Sequence, residues 1–205
     1  MNPIQVASTL NTIQRKAPTT HPITLENYLK REALSPHKNE YHNGQIVKMP
    51  GAKAKHNQIA MQTGAALITA TENLELIYLV YNSDMKIYIP AYNQAVYPDA
   101  VVVCETPLYW NNREDIILNP VLIVEVLSKS TKSYDRGDKF LKYKTIPSFK
   151  EYVLVSQDSC SIETWHREAP GLWRETIIEG RDAIVHLASL GCDIALNKVY
   201  RNVSF

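Results

Sequence analysis

The sequence contains few glycines and few cysteines, and this scarcity excludes several classes of protein. Seven glycines among 205 residues are too few for a glycine-rich loop that cradles a nucleotide. The three cysteines, Cys104, Cys160 and Cys192, are odd in number and widely spaced, so they match neither a zinc site nor a disulfide framework. We therefore expect a reducing, cytoplasmic setting and no nucleotide cofactor.

Long hydrophobic runs are also missing. Every apolar run carries a charge or a turn signal, so none predicts a membrane span. The first twenty residues are polar and aperiodic, and they lack the charged-then-apolar pattern of a secretory signal. We expect a loose tail over residues 1–22 and one domain over residues 23–205, since this length suits one domain better than two.

A strong net charge is the third absence, because the formal net charge is only +1. The distribution of charge is more informative. Basic residues crowd between positions 129 and 150, and a second basic stretch covers positions 48–55. Such local fields can attract a polyanion, although solvated faces of a helix and a loop explain them more simply. The residues that we assign to nucleic-acid binding are Lys129, Lys132, Arg136 and Lys142.

Local patterns predict helices and a hairpin in the first third of the domain. Thr24 precedes apolar residues at helical spacing, as is typical of a helix N-cap. Asn43-Gly44 between two extended segments predicts a tight hairpin, because a two-residue turn requires positive φ. A longer helix is predicted from about Lys55 to Leu74, where apolar residues recur on one face.

Short runs rich in Val, Ile and Tyr then predict strands in LELIYLVY, MKIYI, AVVVC and VLIVEVL. RGDKFLKYKTI predicts a short helix stopped by Pro147. Further strands are predicted in EYVLVS, SIETWHRE and LWRETIIE, with Pro170-Gly171 as a hairpin turn. This order predicts an α/β (α+β mixed) domain with a central mixed sheet flanked by helices.

Glu125 is the most informative residue, because it lies inside the apolar run VLIVEVL. A strand of that composition is buried on both faces over much of its length. An ionised carboxylate there is costly unless a metal, a basic partner or a proton compensates it. The ordinary alternative, a glutamate on the solvent side of an edge strand, fits the apolar flanks less well.

Asp99 is the natural companion of Glu125, because it opens the strand AVVVC directly after Pro98. Neighbouring strands lie ~4.8 Å apart, so carboxylates on adjacent strands can share one cation. Mg²⁺ prefers oxygen ligands and keeps several waters, so two carboxylates and a substrate phosphate suffice to hold it. Taken alone, Pro-Asp is a common strand-entry dipeptide, which is the simpler explanation.

Asp135 and Lys139 lie four residues apart on the helix predicted after the strand of Glu125, so they share one face. An ordinary surface ion pair would explain this spacing. The functional alternative is that Lys139 reaches the metal site, where its ammonium group positions an attacking water or offsets charge on the transition state. Tyr143, one turn further on, is interpreted as a core residue.

Two segments together resemble a known family. YPDAVVVC and VLIVEVLSKSTKSYDRGDKFLKYKTIPSFKEYVLV are similar to the Uma-type endonuclease family of the PD-(D/E)XK, restriction endonuclease-like superfamily. The likeness extends from about Ile23 to the final strands. It includes Glu40 ahead of the hairpin, His56 at the start of the long helix and Asp84 before MKIYI.

The resemblance implies a metal-dependent nuclease in which Asp99 and Glu125 are the paired acids. It further implies that Glu40 supports the metal, Mg²⁺ or Mn²⁺, directly or through water. The superfamily motif has a lysine two residues after the second acid, and this chain has Leu127 there. The resemblance therefore implies that Lys139 replaces the motif lysine. Candidates of second rank are His56, Asp84 and Asp135.

The predicted reaction is hydrolysis of phosphodiester bonds in nucleic acid, and DNA is the expected substrate. A homodimer is compatible with this reaction. Two alternatives remain. A catalytically inactive nucleic-acid-binding or assembly module would keep the fold, bind metal weakly and leave DNA intact. A glycosidase would use the carboxylate pair as acid and base without a metal.

Overall fold

The computed structural model describes residues 22–129 and 131–205. The tail predicted over residues 1–22 therefore lies outside the described residues, apart from Pro22. In chain order the helices are α1 (Leu25–Glu32), α2 (Ala54–Thr71), α3 (Lys132–Tyr134), α4 (Phe140–Tyr143) and α5 (Leu196–Val199). The strands are β1 (Asn39–His42), β2 (Gln45–Lys48), β3 (Tyr78–Asn82), β4 (Lys86–Ile89), β5 (Gln94–Val96), β6 (Ala100–Cys104), β7 (Ile116–Ile117), β8 (Leu122–Leu127), β9 (Glu151–Ser156), β10 (Ser161–Ala169), β11 (Leu172–Glu179), β12 (Ile184–Leu187) and β13 (Cys192–Ala195).

Two mixed sheets hold most of these strands. The larger has the order β11-β10-β9-β8-β6-β3, in which β8 and β9 are parallel and the other pairs are antiparallel. The smaller has the order β2-β1-β5-β4-β7, in which β4 and β7 are parallel. Strands β12 and β13 form a separate hairpin. The mixed α/β class is confirmed. The strands expected in one sheet are divided between two, because the short β5 pairs with β1 and β4 in a separate sheet.

The hairpin between β1 and β2 follows the sequence prediction closely. His42 pairs with Gln45, so Asn43 and Gly44 alone form the turn, with φ values of 46° and 93°. Gly44 is also fixed by packing, since a Cβ atom there would lie 2.6 Å from Cβ of Pro22. The turn and its contact with the chain before α1 both require glycine.

Helix α2 and the segment from α3 to α4 cover opposite faces of the larger sheet. Ile59 and Leu67 of α2 pack in one core cluster with Val124 of β8. Phe140 and Tyr143 pack in a second cluster with the alternate residues of the same strands. Every residue of β8 is therefore buried, as its composition predicts.

Two helix predictions need correction in their details. The predicted long helix ends at Thr71, so Leu74 lies beyond α2 and packs against the core from a turn. The predicted helix before Pro147 contains a π-helical turn over Asp135–Lys139, which joins α3 to α4. Among the described residues, no helix combines the length and apolar character needed to cross a membrane.

Candidate active site

The register of β6 and β8 brings Asp99, the residue before β6, close to Glu125. Ala100 pairs with Val124, and the amide of Asp99 donates to the carbonyl of Val124 at 3.1 Å. Asp99 and Glu125 are therefore the next residues opposite one another across the two strands. Glu125 alternates with residues that face α2, so its side chain points towards the segment from α3 to α4. The charge of Asp99 acts on both Glu125 and Asp135, so its carboxylate lies near both.

Both carboxylate oxygens of Asp99 have a partner. Oδ1 lies 2.9 Å from Nε2 of His56, which belongs to the first turn of α2. Oδ2 accepts a hydrogen bond of 2.7 Å from the amide of Val126. Burial alone would lower the pKa of His56, but the hydrogen bond and charge of Asp99 outweigh burial and raise it. The pair therefore favours an imidazolium ion facing a carboxylate.

Glu125 is almost completely buried, with 4% of its surface exposed. Its Oε1 accepts a hydrogen bond of 2.9 Å from the hydroxyl of Tyr143 and lies 2.7 Å from Nζ of Lys139. Burial raises the pKa of Glu125 well above its usual range, against the opposing charge of Lys139. The negative charges of Asp135 and Asp99 raise this pKa further.

Lys139 comes from the π-helical turn and is as buried as the acid that it contacts. Its Nζ also lies 3.8 Å from Oδ1 of Asp135. Burial would lower the pKa of Lys139, but the charges of Glu125, Glu40 and Asp135 outweigh burial and raise it. The lysine therefore stays protonated and offsets part of the negative charge of its neighbours.

Glu40 approaches the same centre from β1. Its Oε2 lies 2.9 Å from Nε2 of His42, and its Oε1 accepts a hydrogen bond of 3.2 Å from the amide of Tyr97. Burial would raise the pKa of Glu40, but the hydrogen bond from His42 and the charge of Lys139 lower it. Glu40 is thus held as a carboxylate near the ammonium group.

We call Glu40, Asp99, Glu125 and Asp135 the carboxylate cluster. The charges of Glu125, Glu40 and Asp135 act on the buried ammonium of Lys139, and the charge of Asp99 acts on Glu125 and Asp135. Carboxylate oxygens and an excess of negative charge are what a hard divalent cation requires. No three His, Cys, Asp or Glu side chains of residues 22–129 and 131–205 are grouped closely enough to ligate one ion. The fit therefore depends on Asp99 and Glu125, with water and substrate supplying further oxygens.

Comparison with known families identifies the chain. The family described as "Uma2: Putative restriction endonuclease" matches residues 25–197. The chain belongs to the Uma2 family. It is similar to two proteins of Synechocystis sp. named as uncharacterized, sll1609 and slr1290. The first is 32% identical over 170 residues, covering 83% of this chain and 95% of the relative. The second is 33% identical over 182 residues, covering 88% of this chain and 92% of the relative.

A crystal structure titled as "a putative nuclease belonging to DUF820 from Anabaena variabilis" has a similar fold. The TM-score is 0.65 at 18% identity, and the match covers 87% of the Uma2 chain and 97% of the Anabaena chain. At this identity the likeness concerns the fold alone. Together with the family match, it confirms the restriction endonuclease-like architecture expected from the sequence.

Other candidate residues of the Uma2 chain lie outside the carboxylate cluster. Asp84 follows β3 and is largely exposed, and its Oδ1 lies 2.7 Å from Nζ of Lys38. The ion pair with Lys38 lowers the pKa of Asp84. Within residues 22–129 and 131–205, Asp84 bonds with Asn82 and Lys38 and with neither Asp99 nor Glu125. We therefore leave Asp84 out of the site.

The basic residues assigned to nucleic acid differ in their availability. Lys129 and Lys132 are exposed in the segment that follows β8. Arg136 is engaged by Glu163, whose Oε2 accepts a hydrogen bond of 2.9 Å from Nε of the arginine. Lys142 lies beside two tyrosine rings. The two exposed lysines are thus freer than Arg136 to contact a phosphate backbone.

Tyr143 is a core residue, as the sequence predicts, and it also contacts Glu125, which the sequence does not predict. Its ring is completely buried in the core, as expected, but its hydroxyl donates to Glu125. The signal that could have revealed this contact is a tyrosine where a phenylalanine would fill the same core space. A buried hydroxyl needs a hydrogen-bond partner, and the carboxylate of Glu125 provides it.

Proposed function

We propose that this Uma2 protein is a metal-dependent endonuclease that hydrolyses phosphodiester bonds in nucleic acid, with DNA as the expected substrate. The observation that carries the proposal is the proximity of Asp99, directly before β6, to Glu125 of β8, which contacts the buried ammonium group of Lys139. Membership of the Uma2 family, described as "Putative restriction endonuclease", supports the same reaction class.

Asp99 and Glu125 would hold the cation, Mg²⁺ or Mn²⁺, and Glu40 would support it through water. When bound, such an ion lowers the pKa of a coordinated water and neutralises charge on the phosphate. Both ligands are held in position before any ion arrives. His56 and the amide of Val126 fix the carboxylate of Asp99. Tyr143 and Lys139 hold the carboxylate of Glu125 through its Oε1.

Lys139 has the further task of stabilising charge. Its ammonium is protonated and buried, and a fixed positive charge in a site shielded from water stabilises the negative charge that develops on the phosphate. The same group can donate a hydrogen bond to the attacking water. These tasks are those of the motif lysine, whose usual position is held here by Leu127.

The ion pair between Lys139 and Glu125 also favours a second candidate. At 2.7 Å, Lys139 compensates the buried acid without a metal. A chain with this arrangement could keep the fold as a nucleic-acid-binding or assembly module without turnover. Such a module would bind DNA and leave it intact.

The experiment that separates the two incubates plasmid and single-stranded DNA with Mg²⁺, Mn²⁺ or EDTA. We expect wild type to cut in either metal and to be inactive in EDTA, and Glu125→Gln to be inactive throughout. Asp193→Asn, which removes an exposed acid of β13, serves as the matched control and should cut normally. Intact DNA under every condition, with binding retained, would favour the inactive module. Cleavage in EDTA would contradict the metal.

A further inference from the structure

Two tyrosines and a lysine form a group at the edge of the carboxylate cluster. Nζ of Lys142 lies 5.9 Å from the ring centroid of Tyr92 and 5.3 Å from that of Tyr134. The same ammonium lies 3.5 Å from the hydroxyl of Tyr134. We call Tyr92, Tyr134 and Lys142 the tyrosine–lysine cluster.

This cluster adjoins the candidate active site. Tyr134 directly precedes Asp135, and Lys142 lies three residues after Lys139. Burial raises the pKa of Tyr134 to about 12, and the charge of Glu40 adds to the effect. Because Tyr134 adjoins Asp135 in the chain, a ligand beside its ring would be close to the carboxylate cluster.

Tyr92 is held out towards solvent by a braced turn. Tyr92 is 42% exposed and is the last residue of the short 3-10 turn Pro90–Tyr92. The next residue, Asn93, has a φ of 48°, and its side-chain oxygen accepts a hydrogen bond of 3.0 Å from Tyr88. Its amide nitrogen donates to the hydroxyl of Tyr41 at 3.1 Å. Little conformational freedom of this turn would be lost on binding a ligand.

The tyrosine–lysine cluster differs from the other aromatic–cation group near α4. Lys144 lies over Phe140 and Trp173, but those rings pack against one another in the core. Tyr92 and Tyr134 make no ring–ring contact within the described residues. Core packing with other rings therefore accounts for the position of Phe140 and Trp173, and it does not account for that of Tyr92.

We propose that the tyrosine–lysine cluster is a stacking subsite for an unpaired nucleobase, with Lys142 contacting the adjoining phosphate. The inference rests on the proposed nuclease function and specifies its substrate as nucleic acid with an unpaired segment beside the scissile bond. An exposed aromatic ring beside a cation is the arrangement that binds single strands, because every base has a face that can stack. Bases inside a duplex already stack on their neighbours and cannot reach the ring.

The test measures binding of labelled oligonucleotides by fluorescence anisotropy in EDTA, so that cleavage does not compete. The probes are a single-stranded oligodeoxynucleotide, the RNA of the same sequence and the matching DNA duplex. We expect wild type to bind the DNA and RNA single strands more tightly than the duplex. Tyr92→Ala should weaken single-strand binding about tenfold and leave duplex binding unchanged, since one stacked base accounts for a factor of that order.

Two matched variants separate stacking from other effects. Tyr92→Phe keeps the ring and should bind single strands as wild type does. Leu172→Ala, which removes an exposed apolar side chain from β11, should also bind as wild type does. Single strands with one abasic position complete a double-mutant cycle with Tyr92→Ala. If Tyr92 stacks on the base that the abasic position lacks, the losses of affinity caused by Tyr92→Ala and by removal of that base are not additive.

Equal single-strand binding by wild type and Tyr92→Ala, or additive losses at every abasic position, would overturn the subsite. Tighter binding of the duplex than of single strands would also overturn it. The plasmid cleavage assay measures the proposed function separately. If wild type cleaves the plasmid and Tyr92→Ala binds single strands as wild type does, only the stacking subsite is refuted. If the binding assays show stacking on Tyr92 and wild type does not cleave the plasmid, only the proposed nuclease activity is refuted.

Discussion

At the scale of single residues, Glu125 is held by two donors of different kinds. Tyr143 contributes a neutral hydrogen bond, and Lys139 contributes a charge. Removal of a buried charge that compensates another is usually far more costly than loss of a neutral hydrogen bond. Variants of the two residues should therefore differ in their effects. Loss of Lys139 removes a charge, and loss of the Tyr143 hydroxyl removes a restraint on the position of Glu125.

We expect Lys139→Met to reduce single-turnover cleavage by roughly 100-fold or more, a typical effect of removing a donor to developing charge. The variant should also unfold at a lower temperature, because Glu125 and Asp135 lose their positive partner. A bound cation replaces the missing charge, so Mg²⁺ should raise the melting temperature of Lys139→Met more than that of wild type. Wild-type rates in the variant would assign the charge-stabilising task to another residue.

We expect Tyr143→Phe to fold normally, with about 1 kcal/mol less stability, since it loses one hydrogen bond and leaves no cavity. Glu125 would lose one of its two restraints, so the apparent affinity for Mg²⁺ should fall several-fold, as measured by cleavage at varied metal concentration. Tyr200→Phe removes a buried hydroxyl that donates to the carbonyl of Ser156 at 2.9 Å. Because that hydroxyl also accepts a hydrogen bond from the amide of Ser161, this control should lose at least as much stability, without a change in metal affinity. The positioning task is refuted if both variants behave alike.

At the scale of secondary-structure elements, the π-helical turn decides what the segment after β8 presents to the sheet. Asp135 and Lys139 are both buried, while Phe140 and Tyr143 enter the core directly after the turn. The hydroxyl of Tyr152 on β9 donates to the carbonyl of Asp135 at 3.1 Å. Wide turns of this kind are frequent at functional sites, where they redirect side chains inside a helix.

The β1–β2 hairpin carries Glu40 and gives a stability prediction. Gly44→Ala should lower the free energy of unfolding by about 1–3 kcal/mol, because Ala is strained at positive φ and its Cβ would meet Pro22. Gly64→Ala in α2 is the matched control, since nothing lies within 4 Å of the added Cβ. There the same change should raise stability by about 0.5–1 kcal/mol. Urea unfolding of both variants checks the opposite signs, and equal shifts would contradict the argument.

At the scale of the whole molecule, charge is separated although the net charge is +1. Three acids of the carboxylate cluster are buried and Asp99 is half-buried, while Lys129 and Lys132 are exposed beyond the end of β8. The exposed lysines can therefore attract a polyanion, and Lys139 offsets part of the negative charge of the carboxylate cluster. Arg136 is paired with Glu163, so we expect it to contribute less than the free lysines.

We expect Lys132→Ala to weaken DNA binding mainly at low salt, because each phosphate contact releases counterions. The slope of log K against log salt concentration should become shallower by about 1. Lys30→Ala, an exposed lysine of α1, removes the same charge and should leave the slope unchanged. Titrations of both variants between low and moderate salt make the comparison. An unchanged slope for Lys132→Ala would count against the basic surface.

The sequence alone determined the features that depend on neighbouring residues. The turn at Asn43-Gly44 follows from local backbone preference, and the burial of β8 follows from its uninterrupted aliphatic residues. The improbability of a charge inside that strand singled out Glu125 without any knowledge of its partners. The family resemblance, confirmed over residues 25–197, added the expected architecture.

Only the tertiary structure decided which side chains meet. The contact of His56 with Asp99 joins residues 43 positions apart, and that of Tyr143 with Glu125 joins a helix to a strand. The π-helical turn has no local signature, because tertiary packing around Asp135 selects it over a regular helix. Register, packing and long-range hydrogen bonds are properties of the folded chain, and no local pattern encodes them.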